Sequence, residues 1–476
     1  MANTPVDSTA AESAAHPPGY VGKLPLSLKA GWGVGAFGSL GMLWLVNVFL
    51  MFFLVNHLGM NAALAGIILF ITRIYDVISD PLIGHLSDNT RSRWGRRRPW
   101  MFVGAFVSGL AAILAFNVPA FSADNATAIY ELVVLLVYFT GFTLFYVPFM
   151  AMPAEMTDDY NERTSIMSFR VGYSFAAGII IAAGMPALIS RLGGDREAYE
   201  VAAVIAGILI TVSMLMTVMF TRRARGLEHI HKERYTVKEY FTSILRNRPF
   251  LSLAALKFMV LLGAAINGSS SLFFMSYVME RAEMGQAFYS LMSNIAGMCA
   301  LPLWARLSRG RDKVKVYAVA IIGSTLFVIS WAFAGPGESN LIFGLRSFLM
   351  GAFGAGGLIM GFSMLPDTIE YDRLKTGLDR AGLYAGLLGF IEKNAAAVAP
   401  MIIGFYFAAM GLVQSSTGNV EQPDSAIVAI IAGKAWIPAG INLIALGILL
   451  TYRLTEGQLA SMRLQAVGDA AAMSKS

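Results

Sequence analysis

The residues best equipped for chemistry lie where charge is least expected. The stretch FITRIYDVISDPLIG, residues 70–84, is otherwise apolar yet carries Arg73, Asp76 and Asp80. On a helix, side chains three and four apart share a face, so this spacing stacks both carboxylates in one column with the guanidinium a turn before them. Two carboxylates one turn apart repel unless a cation or a proton lies between them. The chemistry that fits is reversible binding of Na⁺, Li⁺ or H⁺. A fixed salt bridge from Arg73 to one aspartate is the bland alternative, and it leaves the second acid unneutralised.

The elements that must hold these groups follow from composition. The chain has 476 residues, of which 56% are hydrophobic and only 14% charged, with a mean hydropathy of +0.61. A soluble protein carries about 25% charged residues, and this chain in water would expose apolar patches large enough to aggregate. The composition predicts an all-α membrane protein with about twelve transmembrane helices, at ~20 apolar residues per crossing. Apolar runs fall near 28–56, 62–87, 99–120, 128–155, 165–190 and 198–220, then near 250–279, 286–308, 314–335, 338–366, 381–412 and 427–453. Helical rise then puts Asp80 ~12 Å and Asp76 ~18 Å inward from the basic run that follows them. That is mid-membrane depth, where a charge costs ~2.5–3.5 kcal/mol or more.

A polar interval separates the two sets of six. The expected organisation is a tail over 1–26, a six-helix bundle over 27–220, a linker over 221–249, a second bundle over 250–454 and a tail over 455–476. Positive charge concentrates on one side: Arg91, Arg93, Arg96, Arg97 and Arg98 after the second run, and Arg306, Arg309, Arg311, Lys313 and Lys315 after the eighth. That asymmetry predicts cytoplasmic termini in a bacterial inner (plasma) membrane. It also accounts for the net charge of +6 without nucleic acid. The two halves repeat each other: MAMPAEMTDDY ends the fourth run and FSMLPDTIEYD the tenth. Pseudo-symmetric bundles of this kind are a hallmark of secondary transporters.

Further ionisable groups in the apolar runs are Arg170, Arg346, Glu392 and Lys393. Lys393 can complete the charge balance with the aspartates, as can Arg73. Lys257 and Lys434 are expected to snorkel to the interface. In GHLSDNTRSRWGRRRP, Asp88 at a helix end beside Arg93, Arg96 and Arg97 reads as a conformational latch. The spans hold no nucleophile–base pair, so no enzyme activity and no cofactor are expected. Single Cys299 excludes an internal disulfide framework.

The loop GHLSDNTRSRWGRRRP resembles the signature loop of the major facilitator superfamily. RIYDVISDP before it resembles the glycoside–pentoside–hexuronide:cation symporters, and in particular their melibiose-carrier-like branch. The sodium-dependent lysophosphatidylcholine carriers have a similar pattern. The resemblance extends through GAFG, VPFMAMP, NERTSIMSFR and LPDTIEYDRLKTG. It implies that Asp76 and Asp80 form the cation (Na⁺) site with Ser79 and Thr143 as neutral ligands, that Lys393 lies near it, and that Arg170 contacts solute. Where the galactoside carriers place acids in helices one and four, this chain has Leu40 and Tyr146. A leucine cannot accept hydroxyl hydrogen bonds. The expected function is therefore cation-coupled symport, with Na⁺ favoured over H⁺, of a small organic solute held by Arg170, Tyr146, Leu40 and Glu392. A glycoside is the first reading. The aromatic stretches GMLWLVNVFLMFF and FTLFYVPFMAM suit an amphiphile such as a lysophospholipid as readily, and a non-transporting receptor on the same fold is the alternative of another class. Its partners are the lipid bilayer and the solute, and the expected state is a monomer.

Overall fold

The computed structural model describes residues 23–121, 124–157, 160–223, 247–309, 311–377 and 380–452, with a few positions up to 465. Most of the expected tails and linker lies outside the described residues. Ten helices are long and apolar enough to cross a membrane. In chain order, with two further helices, they are α1 (Leu26–Asn56), α2 (Ala62–Asn89), α3 (Arg98–Leu114), α4 (Asp124–Met156), α5 (Ser165–Leu192), α6 (Arg196–Phe220), α7 (Arg248–Tyr277), α8 (Ala282–Leu307), α9 (Lys313–Phe333), α10 (Asn340–Thr376), α11 (Ala381–Ala409) and α12 (Asp424–Thr451). The two additional helices are α3, apolar but 17 residues long, and α8, which is long enough but carries Gln286, Ser290, Ser293 and Asn294. No strand occurs among the described residues.

Local chemistry sets where the helices begin. The side chains of Asn61, Asp195, Asn247, Asp312 and Ser339 each accept a backbone N–H at the first turn of α2, α6, α7, α9 and α10, satisfying donors that a helix start leaves free. The fifth helix ends at Gly193, whose φ of 114° lies in the left-handed region. Three helices contain π-helical turns, at Leu45–Leu50, Gly178–Gly184 and Ala432–Trp436. The first contains Asn47 and the last Lys434, so two of the three irregular turns carry a polar side chain in an apolar run. Such turns gather at functional positions.

The helices α1 to α6 pack among themselves, as do α7 to α12, and the two sets meet along α2–α11, α5–α8 and α1–α7. The crossing of α2 and α11 is backbone on backbone. A Cβ on Gly404 would lie 2.3 Å from the Ala62 carbonyl oxygen, and one on Gly66 would lie 2.7 Å from that of Pro400. At the same end, Ser415 and Gly418 donate their N–H groups to the Val55 and Asn56 carbonyls at 3.0 Å. Tyr199 donates to Glu283 at 2.9 Å. The halves are thus clasped at the end where α1 stops and α2 begins. Exposure of the α2 acids rises the other way, from 1% at Asp76 to 25% at Asp80. The polar centre is therefore reached from the end that carries Asp88.

The phenylalanines of GMLWLVNVFLMFF are packed inside the protein. Phe49, Phe52 and Phe53 are buried, with Phe52 edge-on to Phe273 and Phe53 against Phe116. Their rings cement α1 to its neighbours, and most of α1 is buried inside the protein.

Candidate cation and solute site

Asp76 and Asp80 face the same way from α2, toward α4 and α11. Thr143 of α4 donates its hydroxyl toward both, at 2.8 Å to Asp76 Oδ1 and 3.2 Å to Asp80 Oδ1. Ser79 completes the group, 3.3 Å from the Thr143 hydroxyl and donating to the Asp76 carbonyl at 3.1 Å. From the other half comes Lys393, whose ammonium lies 2.9 Å from Asp76 Oδ2 and also bonds Asp80 Oδ2. One lysine is therefore shared by two carboxylates, and the three charges sum to −1. The donor set is two carboxylates and two hydroxyls, all hard oxygens of the kind a small monovalent cation takes.

Arg73 departs from its expected place. Its guanidinium bonds Asn47 Oδ1 at 2.9 Å and lies over the Phe139 ring, 4.6 Å from its centroid, and it forms no ion pair with either aspartate. Helical side chains lean toward the N-terminus, so Arg73 reaches back toward α1 while the acids point on toward Lys393. Asn47, a lone amide in GMLWLVNVFL, was the sequence signal for this partner and was not read as one.

Arg170 of α5 donates to the Tyr146 hydroxyl at 3.2 Å. Tyr146 stacks on Phe142, 4.9 Å between centroids, and the Lys393 ammonium lies 5.5 Å from that Phe142 ring. Thr143 and Tyr146 are three apart on α4, so the cation group and Arg170 are neighbouring turns of one surface. Leu40 is half-buried against the apolar core. Glu392, expected at the solute, is instead held by Lys257 at 2.5 Å. That pairing also corrects Lys257, which is 2% exposed rather than interfacial. Adjacent positions diverge by about 100° on a helix, which sends Glu392 to α7 and Lys393 to α2.

Lys434 is likewise not interfacial. It is wholly buried, donating to Asn267 Oδ1 at 3.2 Å and Ser271 Oγ at 2.9 Å, with the Tyr289 ring 4.0 Å away. Arg346 pairs with Glu338 at 2.7 Å. At the Asp88 end, Arg97 bonds Asp88 at 3.1 Å, and both Arg97 and Arg96, the latter at 2.7 Å, bond Glu155. Arg93 is not in this cluster; it borders a cavity with Trp94, Arg98 and Arg222. Glu155 lies in the MPAEMTDDY motif, but nothing local in the sequence names its partners, since they sit 58 and 59 residues away.

A family model described as MFS/sugar transport protein matches residues 31–456. The chain belongs to that family. Members similar to this MFS/sugar transport protein include the uncharacterized symporter YnaJ of Bacillus subtilis, 28% identical over 448 residues that cover 93% of this chain and 95% of that one. The inner membrane symporter YicJ of Escherichia coli is 26% identical, covering 87% and 89%. The isoprimeverose transporter of Lactiplantibacillus pentosus is 23% identical, covering 93% and 92%. Among solved structures, the nucleoside transporter NupG superposes with a TM-score of 0.64 at 13% identity, covering 89% of this chain and 99% of that one. That likeness bears on the fold, which is an all-helical major facilitator fold. The protein is a multi-pass membrane transporter and not an enzyme.

Proposed function

We propose that this transporter is a cation-coupled symporter, with Na⁺ favoured over H⁺, that moves a small glycoside-like solute by alternating access. The observation that carries the reading is the lysine shared by two carboxylates at the seam between the halves. A cation that binds Asp76 and Asp80 replaces Lys393, and the neutralised acids no longer hold α11 by charge. Solute binds against Arg170 and Tyr146, one turn away on α4. The halves then rock about their seam, breaking the clasp near Val55 and forming contacts at the Asp88 end, where Arg96 and Arg97 shift on Asp88 and Glu155. The two hydroxyls of Ser79 and Thr143 favour sodium, because a proton needs no ligand cage. The similarity to symporters, an isoprimeverose transporter among them, favours a glycoside. Two bundles over 27–220 and 250–454, with cytoplasmic termini, complete the reading.

The test is uptake by purified protein in liposomes, with a Na⁺ or H⁺ gradient imposed and a panel of labelled glycosides outside. Gradient-driven accumulation that is lost in Asp76→Asn with Asp80→Asn supports the scheme. Accumulation that persists in the double variant removes the coupling site from it.

A further inference from the structure

We infer that the cleft between α8 and α10, at the end that carries Asp88, holds one anionic phospholipid. Its phosphate lies on Arg306, Arg309 and Arg311, and an acyl chain runs along the apolar walls. The site is separate from the cation and solute site and does not depend on what the protein carries. The cleft is a cavity of about 620 Å³, within the ~300–1,000 Å³ of a small-molecule pocket. Leu303, Trp304 and Leu307 of α8 form one wall, Leu349 and Phe353 of α10 the other, and the three arginines border it where α8 stops. Its floor is preformed. The Trp304 indole donates to the Ala352 carbonyl at 2.8 Å and lies edge-on to Phe353, 5.9 Å between centroids. A Cβ on Gly356 would lie 2.5 Å from the Trp304 ring, so α10 backs closely onto that indole. The rim at Leu303 is 67% exposed and apolar, and hydrocarbon suits it better than water.

The repeat between the halves shows what differs here. Leu86-Ser87-Asp88 stands at the end of α2, and Leu307-Ser308-Arg309 takes the same place after α8. In the first half the chain neutralises its own basic loop, since Arg97 has Asp88, and Arg96 and Arg97 share Glu155. In the second half the acid of that turn is replaced by Arg309. The nearby acids are engaged elsewhere: Asp367 with Lys313 at 2.6 Å, Asp312 accepting the Val314 N–H at 2.9 Å, and Asp372 with Arg380 at 3.8 Å. Arg306, Arg309 and Arg311 are exposed and form no ion pair among the described residues. A phosphodiester supplies the missing anion, and guanidinium groups meet it through paired N–H donors. Topological anchoring needs the charges alone. It gives no reason for a preformed apolar cleft leading from them along α8 and α10, whereas basic pockets between membrane helices are where phospholipid headgroups dock. A free phosphate would use the arginines and leave the apolar walls bare. A zwitterionic lipid brings an ammonium that the arginines repel.

The probes are dioleoyl phosphatidylglycerol and the phosphatidylcholine with the same chains, titrated into delipidated protein in neutral detergent. Binding is read by thermal unfolding and by native mass spectrometry. At roughly fivefold per arginine, phosphatidylglycerol should bind about 10²-fold tighter. Arg306→Gln with Arg309→Gln and Arg311→Gln, all at exposed positions, should remove that ratio. Lys315→Gln with Arg373→Gln and Lys375→Gln takes the same charge from exposed positions at the same end, and should keep it. Leu303→Trp, which narrows the cleft and stays apolar, should weaken both lipids. Equal binding of the two lipids overturns the inference. So does a ratio that the control variant lowers as far as the first triple variant, because charge at the interface then acts without the cleft. Unchanged lipid affinities in Leu303→Trp also overturn it. Stabilisation by inorganic phosphate equal to that by phosphatidylglycerol overturns it too, and assigns the arginines to a soluble anion.

Discussion

Removing Lys393 isolates the claim on which coupling depends. At 2.9 Å from Asp76 Oδ2, its attraction to that carboxylate is about 6 kcal/mol at an effective dielectric of ~20. Desolvation offsets part of this, and leaving a buried ion pair's partner alone costs about 3–5 kcal/mol. Lys393→Met should therefore destabilise the cation-free protein by about that amount. It should destabilise the cation-bound protein far less, because there the lysine has already been displaced. The difference is a gain in cation affinity of about 10²-fold or more, at 1.4 kcal/mol per decade.

The assay is thermal unfolding of the purified protein in detergent, titrating NaCl against choline chloride at constant ionic strength. The parent should gain stability with Na⁺ in proportion to RT ln(1 + [Na⁺]/Kd). Lys393→Met should start lower and gain more, with its midpoint at a lower concentration. Acidification in choline that restores stability as fully as Na⁺ would name the proton as the coupling ion. Uptake should meanwhile fall, since the group that re-neutralises the emptied acids is gone. A variant whose Na⁺ response equals the parent's would refute the displacement argument. So would an enlarged response that survives the addition of Asp76→Asn and Asp80→Asn.

Other perturbations have definite expected outcomes. Glu155→Gln removes the acid that Arg96 and Arg97 share, at a site 14% exposed, whereas Asp88→Asn breaks a pair whose acid is 39% exposed and screened to about 0–1 kcal/mol; urea or thermal unfolding should rank Glu155→Gln as the more damaging. Gly404→Ala places a methyl against the Ala62 carbonyl, so it should prop the clasped end apart and raise thiol labelling of Ser415→Cys in a Cys299→Ser background. Lys434→Met exchanges an ammonium that has no acid partner among the described residues for a chain of similar shape. Ser271 keeps Gln286 and Asn267 keeps Tyr289, so stability should change by less than about 1.5 kcal/mol. Lys257→Met leaves Glu392 alone, and its loss should approach the lower end of about 3–5 kcal/mol because that acid is partly exposed.

The parts of the site that were legible in the sequence are those whose meaning is local. Asp76 and Asp80 announce themselves because a four-residue spacing in an apolar run has one helical interpretation, and the depth follows from counting residues. The helices were legible for the same reason: each must satisfy its own backbone in lipid, so hydropathy alone bounds it, and α1, α2 and α6 lie within two residues of where composition puts them. Partnership was not legible, because it is decided by which face of one helix meets which face of another. Lys257 and Lys434 look like snorkelling lysines in one dimension, and only the packing of α7 against α11 and α12 turns them inward. Arg73 was three residues from an acid and was paired with it by proximity, yet the chain direction of α2 sends it to Asn47.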